Sequence, residues 1–348
     1  QALINLGYDT GVPDGTVPTA NINTVTSLNV NNQSISDLTG IEDFSDLYWL
    51  YCNNNQLSTL DLSSNSVLYE LDCSYNQLST LSLIGNGNLE ILDCGNNQLS
   101  NLDVNANPLL RNLNAPANTL SNINLINNIS LTSLGLGNNQ LTTLNLNNNI
   151  LLEHLNIVNN QVSILNLIYN VGLTDIWIGN NNIGALDISN SPNLWVIWGD
   201  NNQITSLDVS NNAILTQLYC PNNLLTSLDV RNGNNSSLNV FSTTGNPNLT
   251  CINVDDDVYS TANWTNVDAQ HYFSTACSST TPPCTLQTFV PDDNFENYLE
   301  THDANGNIVP LGDQTSMGDG IALNDSVCTA NINTVISLDV NNLGISDL

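Results

Sequence analysis

Apolar residues return along this chain with a period of 21. Leu50, Leu71, Leu92, Leu113, Leu134, Leu155, Ile176, Ile197 and Leu218 follow one another at that spacing without an insertion. A leucine stands three residues before each of them, from Leu47 to Leu215, and an asparagine five residues after, from Asn55 to Asn223. A fixed period of this length means a solenoid, in which each turn buries its apolar side only against its neighbours. Within a period the pattern is double, LxxLxCxxNx and then LxxLxLxxNxx, as in LYWLYCNNN (47–55) and LSTLDLSSN (57–65). Each L-x-L pair points two side chains inward from a short strand. The asparagines fall at the corners, where an amide can bond turn backbone and stack from coil to coil. The expectation is a mostly β, flattened solenoid of about ten coils and low curvature, with short parallel strands on one or both sides about 4.8 Å apart.

The segments LDCSYNQLSTLSL (71–83) and LDCGNNQLSNLDV (92–104) resemble the leucine-rich repeat family, in its nested 21-residue IRREKO class common in secreted Bacteroidota proteins. Residues 25–46 resemble instead a 22-residue repeat of the internalin type. The resemblance covers roughly residues 19–250 and implies a fold; it says little of function, because this fold hosts many binding roles.

Outside the array the pattern changes. Residues 1–24 read as a partial N-terminal cap, 25–245 as the solenoid and 246–277 as a C-terminal cap. Trp264, Tyr272 and Phe273 are expected to cover the last coil, because an uncapped end would expose core and an open sheet edge. Residues 278–288 (SSTTPP at their start) read as a Ser/Thr/Pro linker. Residues 289–328 read as the cap of a second array, with FVPDDNFENYLET as its helix, and 329–348 as that array's first repeat. The last segment, TANINTVISLDVNNLGISDL, matches residues 19–38 at sixteen of twenty positions and an offset of 310. The chain is therefore expected to begin within one cap and stop inside a second solenoid, as part of a longer tandem protein.

Composition narrows the partners. Thirty-two acids face two bases, Arg111 and Arg231, for a net charge of -30. Nucleic acid and anionic membranes both reward a basic surface, so neither is expected as a partner. No apolar run approaches the roughly 20 residues of a membrane span. Such a charge is easiest to tolerate where salt screens it, which points to an extracellular or cell-surface setting. The eight cysteines divide accordingly. Cys52, Cys73, Cys94 and Cys220 share one repeat position with leucine and isoleucine and are expected to be inert core thiols. Cys251, Cys277, Cys284 and Cys328 lie in the cap segments, where disulfides are plausible in an oxidising exterior; the pairs favoured are Cys251–Cys277 and Cys284–Cys328.

Candidate chemistry is sparse. The three histidines fall in different regions, and no nucleophile elbow, zincin motif or phosphate loop is present. No cofactor and no catalytic residue is expected. Asp61, Asp103, Asp187, Asp208 and Asp229 recur on the second half of the repeat and read as a solvated row. HDANGN (302–307) places Asp303, Asn305 and Asn307 like the start of a calcium loop, but its glycine and closing carboxylate are out of place. The two faces differ more informatively. The second half presents monotonous Ser/Thr pairs such as Ser58-Thr59 and Ser79-Thr80, whereas the first half varies and carries four of the five tryptophans. Trp177, Trp195, Trp198 and Tyr219 form the main aromatic group, with Asp175, His154 and Glu153 beside it as hydrogen-bonding groups. Tyr48, Trp49, Tyr51 and Tyr69 form a second. Exposed aromatics of this kind mark contact sites, and flat rings beside carboxylates suit a sugar or a protein hot spot. The leading reading is a non-catalytic extracellular recognition or adhesion module for a protein or glycan on a cell surface. The alternatives are a stalk or fibre built of neighbouring units of the same protein, and ice binding by the Ser/Thr face.

Overall fold

The computed structural model describes residues 1–277, two short strands beyond them, and five single positions between residues 295 and 302. Two units are separated, residues 1–275 and 276–348. In the second, Gln287–Phe289 pairs antiparallel with Ser326–Cys328. Apart from these positions, the expected linker and second cap lie outside the described residues, as do the calcium-like loop (303–307) and Cys284 of the expected Cys284–Cys328 bridge.

The first unit winds as the 21-residue period dictates. Its short strands are, in chain order, β1 (Ser27–Asn29), β2 (Trp49–Tyr51), β3 (Glu70–Asp72), β4 (Ile91–Asp93) and β5 (Asn112–Asn114). Next come β6 (Ser133–Gly135), β7 (His154–Asn156), β8 (Asp175–Trp177), β9 (Val196–Trp198) and β10 (Ser206–Asp208). The series ends with β11 (Gln217–Tyr219), β12 (Ser227–Asp229), β13 (Val240–Ser242), β14 (Cys251–Asn253) and β15 (Tyr272–Ser274). One parallel sheet takes eleven of them in the order β1 to β9, β11, β13. Its register is that of the repeat: Leu50 faces Leu71, which faces Leu92. The array makes about twelve turns rather than ten. The strict period misses the outer ones, because the first turn is one residue longer (Leu28 against Leu50) and the last is two residues longer (Leu218 against Phe241).

The central apolar residue of each strand of the long sheet is buried, and with it the apolar positions of the second half-repeat, Ile35, Leu38 and Ile123 only in part, so one continuous apolar core runs along the array. Each buried leucine contributes roughly 1.5–3 kcal/mol. The asparagine ladder closes the corner after each strand. Asn160 is typical: its Nδ2 donates to the carbonyls of Leu136 (2.9 Å) and Ile157 (3.1 Å), and its Oδ1 accepts from Leu141 N–H (2.9 Å). The residue before each ladder asparagine has a left-handed backbone, with φ between 52° and 56° from Asn54 to Asn222. Asparagine tolerates that conformation best among non-glycine residues, which accounts for the recurrent Asn-Asn; Tyr75 and Ala117 are the exceptions.

Of the one or two sheets that the sequence allows, only the first runs the length of the array. Strand pairing on the second side is confined to β10, β12, β14 and β15, at the C-terminal end. Before that point single backbone bonds, such as Gln77 N–H to Leu57 carbonyl, link successive coils. A second asparagine row takes carbonyls in place of strand partners: Asn86 Nδ2 donates to Leu62 and Asn65, both at 3.0 Å. Side-chain amides that occupy backbone acceptors leave little ladder to form.

The C-terminal end is closed by a helix, α1 (Asp257–Asn263), whose N-cap Asp256 accepts from Tyr259 N–H. Trp264 is buried and stacks on Phe241 at 4.2 Å, with Phe273 against its edge. Tyr272, expected to share that task, is exposed. Cys251 and Cys277 are disulfide-bonded. Cys52, Cys73, Cys94 and Cys220 are free and buried; burial, with Asp72 nearby, pushes the Cys52 thiol up to about 12.

Candidate functional site

The outer face of the eleven-stranded sheet shows three columns of side chains: the two outward positions of each strand and the residue just before it. Tyr48, Tyr69, Glu153 and Trp195 belong to the column before the strands, whereas Trp49, His154 and Asp175 open a strand and Tyr51, Trp177, Trp198 and Tyr219 end one. Sequence alternation also places Val196 outward, but it is buried. It lies in register between Asp175 and Gln217, at the foot of the tryptophan cluster.

Three of the four residues in the main aromatic group form a ladder across adjacent strands. Trp177 and Trp198 lie 4.7 Å apart with a 36° tilt, and Trp198 and Tyr219 lie 5.0 Å apart with a 35° tilt. Both indole N–H groups are satisfied on the face itself. Trp177 Nε1 donates to Asp175 Oδ1 (3.1 Å) and Trp198 Nε1 to Gln217 Oε1 (3.1 Å). Trp195 stands outside the ladder, exposed. The Asp175 carboxylate is fully engaged, because its Oδ2 also accepts from the Thr174 hydroxyl (2.9 Å) and meets His154 Nδ1 at 2.5 Å. Glu153 lies 4.0 Å from the other ring nitrogen of His154. Asp175 thus fixes ring orientation instead of offering a free acceptor.

The second aromatic group is just as ordered. Tyr48 stacks parallel to Tyr69 at 4.8 Å, and Trp49 meets its edge at 4.5 Å. Tyr51 lies by Glu70: burial first, then the Glu70 charge and a hydrogen bond to it, raises its phenol above the ordinary value.

Between the two groups the face hollows into a groove of about 440 Å³. Tyr51 and Glu70 line one end, His154, Asp175 and Trp177 the other. Its floor is small and polar, with Asn112, Asn114, Ser133, Gly135 and Asn156. From β2 to β8 there are six strand steps, a length of about 29 Å at ~4.8 Å each. Asp72 and Asp93 face one another across β3 and β4 within it. Burial raises the Asp93 carboxyl above its usual range, and Asp72 adds to the rise, against the hydrogen bonds from Gly95 N–H and Asn114 Nδ2. At the border Arg111 pairs with Glu90 at 3.0 Å. Sequence reasoning located both aromatic ends but missed the floor. The available signal was the run of small and amide residues at Asn114, Gly135 and Asn156, in the column where Tyr51 and Trp177 stand.

The carboxylate row of the second half is spent locally. Asp61, Asp187 and Asp208 each accept from the N–H two residues on. Among the described residues no three His, Cys, Asp or Glu side chains converge as metal ligands, and no helix is long and apolar enough to cross a membrane.

No protein-family model matches the chain. Over 51 residues it is 45% identical to Internalin J of Listeria monocytogenes, a stretch that is 15% of this chain and 6% of that protein. The solved functional domain of InlJ from Listeria monocytogenes, described as including a cysteine ladder, superposes with a TM-score of 0.56 at 30% identity, covering 68% of this chain and 61% of that one. The chain thus spans less than two thirds of either. An internalin, InlF, from the same organism gives a TM-score of 0.53 at 20% identity, over 74% of this chain and 84% of its own. The repeat, the register of the sheet and these likenesses agree: the chain has the leucine-rich repeat fold, similar to that of the internalin domains.

Proposed function

We propose that this chain is a non-catalytic recognition module of an extracellular or surface protein, and that it takes an extended polypeptide segment bearing basic side chains along the outer face of the long sheet. The observation that carries the reading is the groove itself. A polar floor of six strand steps lies between two ordered aromatic groups. At ~3.3 Å per residue, an extended chain would cover its ~29 Å with about nine residues. Glu70, Asp72 and Asp93 line it with no lysine or arginine among its walls, His154 being paired with Asp175, so cationic side chains complement it. A sugar is favoured less. Trp177, Trp198 and Tyr219 turn their faces toward one another at 4.7–5.0 Å, which leaves few open ring faces for a pyranose. The disulfide-bonded cysteines and the charge of -30 support an exterior setting.

The test is a selection of peptides from a random display library on the full chain, repeated on Ser133→Trp, which fills the floor without touching the core, and on Trp177→Ala. We expect enriched basic peptides whose affinity falls at least tenfold on Ser133→Trp. Peptides that bind both variants as well as the parent, or a glycan array that gives the only saturable binding, would overturn the reading.

A further inference from the structure

On the edge where the second half-repeat turns back toward the first, eight successive turns carry no charge. They are residues 62–68, 83–89, 104–110, 125–131, 146–152, 167–173, 188–194 and 209–215. In a chain with 32 acids this is a conspicuous exclusion, about 34 Å long at ~4.8 Å per turn. The opposite, asparagine-lined edge is also nearly uncharged, but its exposed positions are mostly amides. The edge described here is apolar. On three neighbouring turns Ile126, Ile129, Ile150, Leu151, Tyr169 and Val171 are each more than half exposed. Together they present apolar surface on the order of 500 Å², near the upper end for a single chain.

The pattern along the axis carries more information than the area. The first outward position of successive turns reads Ile84, Asn105, Ile126, Asn147, Ile168, Ser189. Isoleucines on alternate turns make a comb with teeth about 9.6 Å apart, twice the strand spacing. The teeth stand out: Ile84 is 81% exposed. Asn105 and Asn147 fill the gaps with shorter side chains, and both are held within their own chain, Asn105 Nδ2 by Asp103 and Asn147 Oδ1 by Asn166.

We infer that this edge joins two copies of the chain side by side and antiparallel, about a two-fold axis between the turns of Ile126 and Asn147. That axis sets Ile126 opposite Asn147, Ile168 opposite Asn105 and Ile84 opposite Ser189, so every tooth of one comb enters a gap of the other. A self-complementary patch of this kind is what an isologous contact requires. Charge selects the occupant. Two chains at -30 repel wherever their acidic faces meet, whereas here neutral apolar surface meets its own kind. A stable contact takes ~800 Å² per partner; the apolar centre supplies most of that and the uncharged ends the rest.

Sedimentation velocity of the full chain over a wide concentration range, at low and high salt, tests this. We expect a monomer–dimer equilibrium that tightens as salt screens the residual repulsion. Ile126→Asp with Ile168→Asp should be monomeric at concentrations where the parent is dimeric, with an unchanged melting curve because both sites are exposed. Ile164→Asp, on the Ser/Thr face, should dimerise like the parent. Mixing Ile126→Cys chains with Asn147→Cys chains under mild oxidation should give the cross-linked heterodimer in excess over either homodimer. A parent that stays monomeric at high salt, or a double variant that still dimerises, would overturn the inference; so would a dimer lacking the heterodimer cross-link.

Discussion

Replacing Asn160 by alanine probes what holds one coil to the next. The amide makes two bonds near 2.9 Å across coils, from Nδ2 to Leu136 carbonyl and from Leu141 N–H to Oδ1, and a third of 3.1 Å within its own coil. The side chain is buried, so water cannot replace these partners without opening the turn. Truncation leaves the buried Leu141 N–H unpaired, at about 1–3 kcal/mol, and removes one of two donors on the Leu136 carbonyl, which keeps Asn139 Nδ2 at 3.1 Å, at about 1 kcal/mol, for a loss of ~3 kcal/mol. Its neighbour Asn159 is the control. Asn159 is exposed and its amide bonds only Asn138, so Asn159→Ala should lose about 1 kcal/mol, mainly for alanine in a left-handed backbone. Because stability in a solenoid is a sum of local terms, the assay is site-resolved: native-state hydrogen exchange of the Leu141 amide beside urea unfolding. The expected result is exchange at Leu141 faster by about two decades in Asn160→Ala, as ~3 kcal/mol requires, with little change in Asn159→Ala. Equal, small effects of the two substitutions would refute the view that the ladder, and not leucine packing alone, couples the coils.

Three further outcomes follow from the same structure. Ala117→Asn should raise stability by roughly 0.5–1 kcal/mol, seen as a higher urea midpoint, since Ala117 sits at φ 52° where the other coils carry asparagine. Asp93→Asn should stabilise the chain at neutral pH. Burial raises the folded Asp93 carboxyl above its unfolded value, so the folded state holds its proton more tightly and stability falls as pH rises through the window above about 4. The gain from Asn should therefore vanish when unfolding is measured below that window. The thiols of Cys52, Cys73, Cys94 and Cys220 should be silent to a thiol reagent in the folded chain and react in guanidinium, since burial holds each well above its usual range.

The 21-residue period made the solenoid, its parallel register and its buried leucines legible, because inward positions of a repeat admit few residue types. It also located both aromatic groups, since Trp177, Trp198 and Tyr219 interrupt a column of amides and acids. What escaped was decided by third partners. Val196 alternates outward but lies between its neighbours' side chains at the foot of the tryptophan cluster. Asp175 reads as a free acceptor until Trp177, Thr174 and His154 are seen to use it. The pattern leaves open whether a sheet runs along the second side, because the amide-to-carbonyl bonds that replace it, such as those of Asn86, are disclosed only by coil-to-coil geometry. The groove floor escaped because Ser133 and Gly135 are informative by what they leave open. The bare edge around Ile126 escaped for a similar reason, as an absence of charge spread over eight turns.

The most direct measurement takes a selected basic peptide, carries a photoreactive group through each of its positions in turn, and maps the cross-links on the full chain. Adducts are expected only on the outer face between Tyr51 and Trp177, stepping from strand to strand as the group moves along the peptide. Adducts on the Ser/Thr face, on the edge around Ile126, or at one fixed point whatever the position of the group, would contradict binding along the groove.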